Sequence, residues 1–289
     1  MPESVPSALD IATEQAVAKA GQVYRPARYV VSAALAGVYV GVAVIVLISV
    51  TAPFAAAQSP AAKLVAGAVF GIALTLVVFA GAELFTGNVL VMLIGVLKRR
   101  ATWAQLLLVN VVALWGNLLG SILFGYLVHA GGTLTRSEPT VTFIAALVDG
   151  KNAASGGELF ARAILCNMLV CLALWMAMRA VGDGAKLTVL WWPLLAFIVA
   201  GFEHCVANMT IFTLGVTTGA ATWLDLARNL AFTVPGNIVG GALIVGGSYW
   251  LIGHVRRPPL ASGNGAVSAS LSSPVVQQIS DGDGGPMVS

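Results

Sequence analysis

The segment GAELFTGNVLV, residues 81–91, places a glutamate, a threonine and an asparagine inside a long apolar run. The segment GFEHCVANM, residues 201–209, repeats the pattern G-x-E-x-x-x-x-N at an offset of 120 positions. Polar groups in apolar surroundings are costly unless they are hydrogen-bonded or paired. Two such interruptions at matching positions therefore predict two related breaks in otherwise apolar structure.

Composition predicts a membrane protein. Of the 289 residues, 58% are hydrophobic and 9% are charged, and the mean hydropathy is +0.90. An average soluble domain has about 25% charged residues. Since a spanning helix needs about 20 mainly apolar residues, we expect an all-α integral membrane protein with six transmembrane helices. The qualifying windows are 29–52, 64–97, 104–130, 159–180, 187–219 and 227–253.

A second repeat has the same offset. WGNLLGSILFG, residues 115–125, matches PGNIVGGALIVG, residues 235–246. The two motif pairs divide the chain into halves of three spans each, and an odd number of spans gives the halves opposite orientations. Inverted repeats with interrupted helices are typical of transporters, whose pathway lies at the repeat interface. Windows 64–97 and 187–219, with 34 and 33 residues, are long enough for helices 2 and 5 to be broken.

The distribution of Lys and Arg predicts the orientation, because cytoplasmic loops are enriched in both. With a cytoplasmic amino terminus, ten basic residues lie inside and five on or near the other side, so we expect both termini in the cytoplasm. The inner set is Lys19, Arg25, Arg28, Lys98, Arg99, Arg100, Arg179, Lys186, Arg256 and Arg257; the outer set is Lys63, Arg136, Lys151, Arg162 and Arg228.

The chain has three predicted parts. Residues 1–28 lack the pattern of a cleavable signal peptide and contain a cytoplasmic surface helix, over about 7–22, that leads into the membrane. Residues 29–254 form the channel domain. Residues 255–289 are rich in Gly, Ser, Pro and Asp, which predicts a disordered cytoplasmic tail.

The repeated glutamates, Glu83 and Glu203, lie deep in apolar sequence, where a charge costs at least about 2.5 to 3.5 kcal/mol. They are either pathway groups or structural acceptors that bind amide donors freed where each helix breaks. The structural interpretation, shared with Asn88, is favoured, because a carboxylate facing the lumen would repel anions.

The residues after each break offer donors to an anion. Thr86, Asn88 and Asn208 lie at the predicted starts of the second half-helices. A helix amino terminus concentrates positive potential and unpaired N–H groups, so two such termini pointing inwards would form a small-anion site. Alternatively, these side chains only cap the breaks.

His204 departs from the repeat, since the first half has Leu84 at its position. Imidazole titrates near physiological pH. His204 could therefore donate a proton to a weak-acid anion or hold the anion by charge; a buried structural histidine is the alternative.

No cofactor or metal is expected. Cys166, Cys171 and Cys205 match no metal or dithiol motif, and one histidine beside one cysteine does not supply the groups of an intramembrane enzyme.

The stretches GAELFTGNVLV, GFEHCVANM and PGNIVGGALIVGGSYW resemble the formate/nitrite transporter family, over about residues 5–254. WWPLLAFIVAGFEHCVANMTIF and FGIALTLVVFAGAELFTG look closer to its nitrite channel branch than to its formate channels. The resemblance implies a homopentamer in the cytoplasmic (inner) membrane, with an aquaporin-like fold and one pore in each protomer. It implies a small anion, protons and the lipid bilayer as partners, and no nucleic acid.

By motif position, the resemblance also implies roles for single residues. His204 matches the central pore histidine and Thr86 the threonine opposite it, with Asn167 and Asn208 nearby and Lys151 at the outer vestibule. The implied constriction residues are Phe70 and Phe197 on the periplasmic side, and Leu74, Leu84, Phe85 and Val170 at the cytoplasmic slit.

A transport mechanism follows from the cost of a bare anion in an apolar constriction, which is of order 20 kcal/mol in the idealised limit. One hypothesis has Lys151 and the helix termini attract nitrite, and His204 transfer a proton so that nitrous acid crosses. A competing account keeps the anion charged, with His204 acting through its own charge. Formate, lactate or hydrosulfide transport, and a nonconducting sensor or assembly partner, are the alternative functions.

Overall fold

The computed structural model describes residues 1–253, so the tail predicted for residues 255–289, and the last residue of the predicted channel domain, lie outside the described residues. The regular elements of residues 1–253 are all helical. In chain order they are α1 (Val5–Gln22), α2 (Pro26–Ala56), α3 (Ala62–Phe70), α4 (Ile72–Phe79), α5 (Phe85–Leu97), α6 (Trp103–Gly131), α7 (Glu138–Ala153), α8 (Gly156–Arg179), α9 (Asp183–Val199), α10 (Cys205–Thr218), α11 (Trp223–Ile238), the π-helix (Val239–Gly247) and α12 (Ser248–Gly253).

Within residues 1–253, five helical segments are long and apolar enough to cross a membrane: Pro26–Ala56, Ala62–Phe79, Trp103–Gly131, Gly156–Arg179 and Trp223–Gly253. The fifth predicted span is instead divided into α9 and α10, of 17 and 14 residues. Neither reaches the 18 residues of the shortest of those five segments. The count of six spans and their inverted, aquaporin-like arrangement therefore remain predictions.

Both predicted breaks are present. In the first, α4 ends at Phe79 and α5 begins at Phe85; in the second, α9 ends at Val199 and α10 begins at Cys205. The glycine that opens each repeated motif has a left-handed backbone, with φ of 77° at Gly81 and 73° at Gly201. Only glycine adopts this region without a steric cost. The chain therefore leaves the helix at the same motif position in both halves.

Side chains in front of three long segments fix where those segments begin. Thr102, Ser155 and Thr222 each accept a hydrogen bond from the backbone N–H three residues on, and the side chain at that later position bonds back to the cap residue. Such capping boxes satisfy two of the free donors at a helix start. Thr102 and Thr222 are again 120 positions apart, so the repeat extends to the helix starts.

Two equivalent glycines let neighbouring helices approach closely. A Cβ on Gly120 would meet the backbone of Ala34, where α6 crosses α2. A Cβ on Gly240 would meet the backbone carbonyl of Ile164, where the π-helix crosses α8. The Gly-Asn-x-x-Gly segments therefore provide the close packing expected of small residues spaced four apart.

The amino-terminal helix α1 extends over the predicted surface helix and buries one face, which includes Leu9, Ala12 and Ala16. Its start is held by two bonds between Glu3 and Arg179: the Glu3 N–H donates to the Arg179 carbonyl, and Arg179 Nε donates to the Glu3 carbonyl, both at 2.7 Å. Helix α7 was not predicted, because its sequence has neither a spanning length nor a repeated motif.

Candidate functional site

The starts of the two second half-helices meet through one side-chain contact. Thr86 Oγ1 lies 3.1 Å from His204 Nε2, and both residues are buried. They come from opposite breaks, 118 positions apart in sequence. The structure therefore brings together the two residues that were predicted to face each other.

His204 is also the amino-terminal cap of α10, since its Nδ1 accepts a hydrogen bond of 3.2 Å from the backbone N–H of Ala207. A backbone N–H can only donate, so Nδ1 carries no hydrogen. In a neutral imidazole the single hydrogen is then on Nε2, which donates towards Thr86. The capping bond therefore fixes the tautomer and presents an N–H donor at the centre of the site.

The position of Thr86 is fixed by α8. Its backbone carbonyl accepts hydrogen bonds from Asn167 Nδ2 at 3.1 Å and from Cys171 Sγ at 3.2 Å. Asn167 Nδ2 also donates to the carbonyl of Asn237 at 2.6 Å. A Cβ on Gly241 of the π-helix would collide with the Asn167 amide and lie 2.6 Å from Cys171 Sγ. Only a residue without a side chain therefore fits at position 241 against these two groups.

A buried asparagine on the next long segment braces each break. In the first half, Asn117 Oδ1 accepts from the Phe85 N–H at 2.9 Å, and Nδ2 donates to the carbonyls of Glu83 at 2.9 Å and Ala33 at 2.8 Å. Asn237 makes the equivalent three bonds in the second half, with Cys205, Glu203 and Ala163 at 3.0, 3.0 and 2.7 Å. The repeated Gly-Asn motif therefore satisfies backbone groups that each break exposes.

In the first half, the carboxylate of Glu83 is paired with a lysine. Lys19 Nζ lies 2.8 and 2.7 Å from its two oxygens. Asn88 Nδ2, at 3.0 Å, and the Tyr29 hydroxyl, at 3.2 Å, also donate to it. Asn88 Nδ2 therefore binds both the glutamate and the Tyr29 hydroxyl.

In the second half, the carboxylate of Glu203 is paired in the same way. Lys151 Nζ lies 3.0 and 2.9 Å from its oxygens, and Asn208 Nδ2 donates to it at 2.6 Å. Asn208 Nδ2 also donates to Asn229 Oδ1 at 2.8 Å. Asn208 and Lys151, predicted near the anion, are therefore held by the glutamate.

The donors to the glutamates differ from those expected. Side chains of lysine and asparagine bind the carboxylates, whereas Asn117, Asn237 and His204 accept the backbone amides freed at the breaks. The physical reason is charge: a buried carboxylate needs an opposite charge to offset its desolvation. Each lysine lies in the last turn of a short helix that precedes its half, Lys19 in α1 and Lys151 in α7.

A small chamber of about 10 Å³ lies beside His204. The predicted residues on its wall are Phe70, Phe197, Leu74, Leu84, Val170 and His204. Phe70 packs edge-on against Phe197 with ring centroids 5.6 Å apart, and Phe197 stacks on the His204 ring at 6.1 Å. Apart from the imidazole, the wall is apolar.

Three further wall residues, Val40, Ala73 and Leu194, were missed by sequence reasoning. They are ordinary apolar residues of apolar helices, and no sequence signal separates them from the core. Phe85, predicted at the slit, is buried and lines neither this chamber nor the larger cavity described next.

A larger cavity of about 790 Å³ opens on the α1 side of the chamber, and its wall includes Lys19, Glu83 and Lys186. Leu74 and Leu84 line both this cavity and the small chamber. These two leucines therefore form the partition between the larger cavity, whose wall carries both charged and apolar side chains, and the apolar site.

Among residues 1–253, no group of three or more His, Cys, Asp or Glu side chains could hold a metal ion. The site thus combines two opposed helix starts, one N–H donor and an apolar wall. This is the arrangement of a membrane channel or transporter with a narrow, apolar constriction rather than a hydrated pore.

Comparison with known proteins gives the family. The Formate/nitrite transporter family model matches residues 6–251, and the chain belongs to the formate/nitrite transporter family. It is 39% identical over 240 residues to the nitrite transporter NirC of Escherichia coli (strain K12), which covers 82% of this chain and 87% of that protein. It is 37% identical to a probable formate transporter of Methanothermobacter thermautotrophicus, over 77% of this chain and 88% of that protein.

Two solved structures share the fold. An FNT family ion channel superimposes with a TM-score of 0.79 at 36% identity, covering 85% of this chain and 98% of that chain. A pentameric formate channel with formate bound superimposes with a TM-score of 0.66 at 29% identity, covering 80% and 98%. The chain is therefore a multi-pass helical membrane protein of a transport family.

Proposed function

We propose that the protein is a channel that moves nitrite, as its neutral acid, across the cytoplasmic (inner) membrane. The contact that carries the proposal joins His204 Nε2 to Thr86 Oγ1 at 3.1 Å, and His204 is the polar residue in the wall of an otherwise apolar chamber. Similarity to nitrite transporters supports nitrite as the substrate.

The chamber favours a neutral permeant. Its wall has no charged side chain, and its volume of about 10 Å³ leaves no room for a hydration shell. Transfer of a bare anion into such a medium costs up to about 20 kcal/mol in the idealised limit, whereas the protonated acid carries no net charge. The anion must therefore gain a proton before it passes Leu74 and Leu84.

His204 acts in this proposal as a neutral donor rather than as a proton relay. A ring protonated on both nitrogens could not accept the Ala207 N–H, so it would break the α10 cap. With Nδ1 occupied, the remaining donor is Nε2–H, which exchanges Thr86 Oγ1 for an oxygen of the permeant as the permeant passes. The positive ends of α5 and α10 attract the nitrite anion. The proton that neutralises it is transferred from a hydronium ion in the water of the larger cavity, which leaves nitrous acid and a water molecule.

The lysines have a supporting role. Lys19 and Lys151 each neutralise a buried glutamate, so they hold the helix starts in place without adding net charge at the breaks. In the cell the protein would be a homopentamer in the lipid bilayer, with one pore in each protomer and both termini in the cytoplasm; the pentameric formate channel supports the assembly.

The test is nitrite uptake into proteoliposomes of purified protein over a series of pH values. Nitrite flux above that of protein-free liposomes, rising as the external pH falls and accompanied by protons, is expected. His129, exposed near the end of α6, provides a matched control: His129→Asn should leave the flux unchanged and His204→Ala should reduce it. Absence of nitrite flux through the folded pentamer would support a nonconducting role instead.

Formate is the second candidate substrate, since a formate channel of Bacillus thuringiensis is 38% identical over 184 residues. Competition for uptake at equal concentrations separates the two. Formate flux several-fold above nitrite flux would reassign the substrate while leaving the site unchanged.

A further inference from the structure

The chamber beside His204 has movable and fixed walls. Leu74 and Leu84 are unbranched at Cβ and can change rotamer. Val40 is β-branched and lies in a helix, where one χ1 rotamer is strongly preferred, and Ala73 has no side-chain rotamer to change. Opening the leucine partition therefore leaves the space next to Val40 and Ala73 unaltered.

The backbone behind Val40 is fixed. A Cβ on its neighbour Gly41 would lie 2.6 Å from Phe124 and 3.2 Å from Thr210 Oγ1, so α2 is packed tightly against α6 and α10 at this point. Val40 is only 1% exposed. Helix α2 cannot retreat here to enlarge the chamber.

The backbone near Ala73 is fixed as well. The Trp191 ring packs on Gly71, where a Cβ would collide with it, and Trp191 Nε1 donates to the Ala68 carbonyl at 2.7 Å. These contacts clamp the junction of α3 and α4 against α9. Ala73 therefore keeps its place in the chamber wall.

We propose that Val40 and Ala73 set the upper size limit of the acid that crosses: acids of the size of nitrous and formic acid pass, and acids with one or more further carbon atoms are rejected. A volume of about 10 Å³ is close to the minimum of roughly 10 to 15 Å³ that one water molecule needs. Rotation of the two leucines adds space along the pore, but none at these two side chains. This inference rests on the proposed function, since it concerns the same pathway.

The experiment measures acetate and nitrite uptake by proteoliposomes of the full chain. Val40→Ala removes two methyl groups from the wall and should raise the acetate-to-nitrite flux ratio at least about 10-fold, as expected for a methylene-sized change in an apolar pocket. Ala73→Val fills the wall and should lower nitrite flux by a similar factor. Val31→Ala is the matched control, because Val31 lies on the same helix with 60% of its surface exposed; its ratio should equal that of the wild type.

Elution of each variant at the wild-type oligomer size controls for folding. A wild-type flux ratio in Val40→Ala, together with wild-type nitrite flux in Ala73→Val, would overturn the size limit while the proposed function stands. Absence of flux of any small acid through the wild type would overturn both. If Val40→Ala does not fold, Ala73→Val alone decides: undiminished nitrite flux contradicts the inference.

Discussion

Replacement of His204 by asparagine distinguishes two possible roles of the imidazole: donating a hydrogen bond to the permeant, or carrying a proton to it. Asparagine is among the best amino-terminal caps, so its Oδ1 can accept the Ala207 N–H that His204 Nδ1 accepts at 3.2 Å. Its Nδ2 provides an N–H donor beside the chamber, and the amide does not titrate in the physiological range. His204→Ala lacks both the cap and the donor.

The magnitudes follow from these bonds. Loss of the cap in His204→Ala costs about 0.5 to 2 kcal/mol, and a buried Thr86 hydroxyl left without its partner costs about 1 to 3 kcal/mol more. In His204→Asn the cap is retained, and a weaker donor to the permeant costs about 0.5 to 1.5 kcal/mol. We therefore expect nitrite flux within roughly 10-fold of the wild type in His204→Asn, and an unchanged ratio of protons to nitrite.

The assay records nitrite uptake and luminal pH together in proteoliposomes under a clamped membrane potential. Thermal unfolding in detergent tests the folded state, and His204→Asn should unfold at a higher temperature than His204→Ala. Nitrite flux through His204→Asn that continues without proton entry would refute the reasoning and favour a relay through the imidazole. Complete loss of flux at wild-type thermal stability would also refute it.

Three further variants test the scaffold. Lys151→Met leaves Glu203 without its counter-ion and should destabilise the protein by about 3 to 5 kcal/mol, which thermal unfolding measures; adding Glu203→Gln should recover most of the loss, and no recovery would mean that the pair is not the cause. Asn237→Leu removes three bonds at the second break and should lower both the unfolding temperature and nitrite flux, whereas loss of flux at full stability would contradict a structural role. Gly240→Ala drives a Cβ into the α8 backbone, while Gly150→Ala meets nothing within 4 Å, so only the first should impair assembly on size-exclusion chromatography; equal behaviour of the two would argue against close packing there.

The two breaks were predictable because a charge in an apolar run has few physical explanations. Glu83 and Glu203, each preceded by a glycine and followed by an asparagine, predicted an interrupted helix, and Gly81 and Gly201 have the left-handed backbone that such an exit needs. The fixed offset of 120 then related the glycine, glutamate and asparagine of one break to those of the other. That Thr86 lies opposite His204 was predicted from the resemblance to the formate/nitrite transporter family and not from the repeat.

The counter-ions of the glutamates were not predictable from the motif. Lys19 and Lys151 lie 64 and 52 positions before their partners, and only packing of α1 and α7 brings them together. Tyr29, a donor to Glu83, has no counterpart in the second half and therefore no repeat signal.

The fixed part of the chamber wall was also not predictable from the sequence. Val40 and Ala73 are apolar residues among many others, and their role depends on the direction in which each helix turns them. The π-helix at Val239–Gly247 depends on tertiary contacts in the same way, because its glycines permit the wider turn but do not require it.

The placement of the lysines on α1 and α7 bears on how such a molecule could have originated. Each buried glutamate is neutralised by a lysine of its own half of the chain. Lys19 of α1 pairs with Glu83, and Lys151 of α7 pairs with Glu203. A primordial gene encoding one portion would already have specified a product with no uncompensated charge in lipid. The contacts that join the two portions, among them Thr86 with His204 and Asn167 with the Thr86 carbonyl, involve neither of these ion pairs.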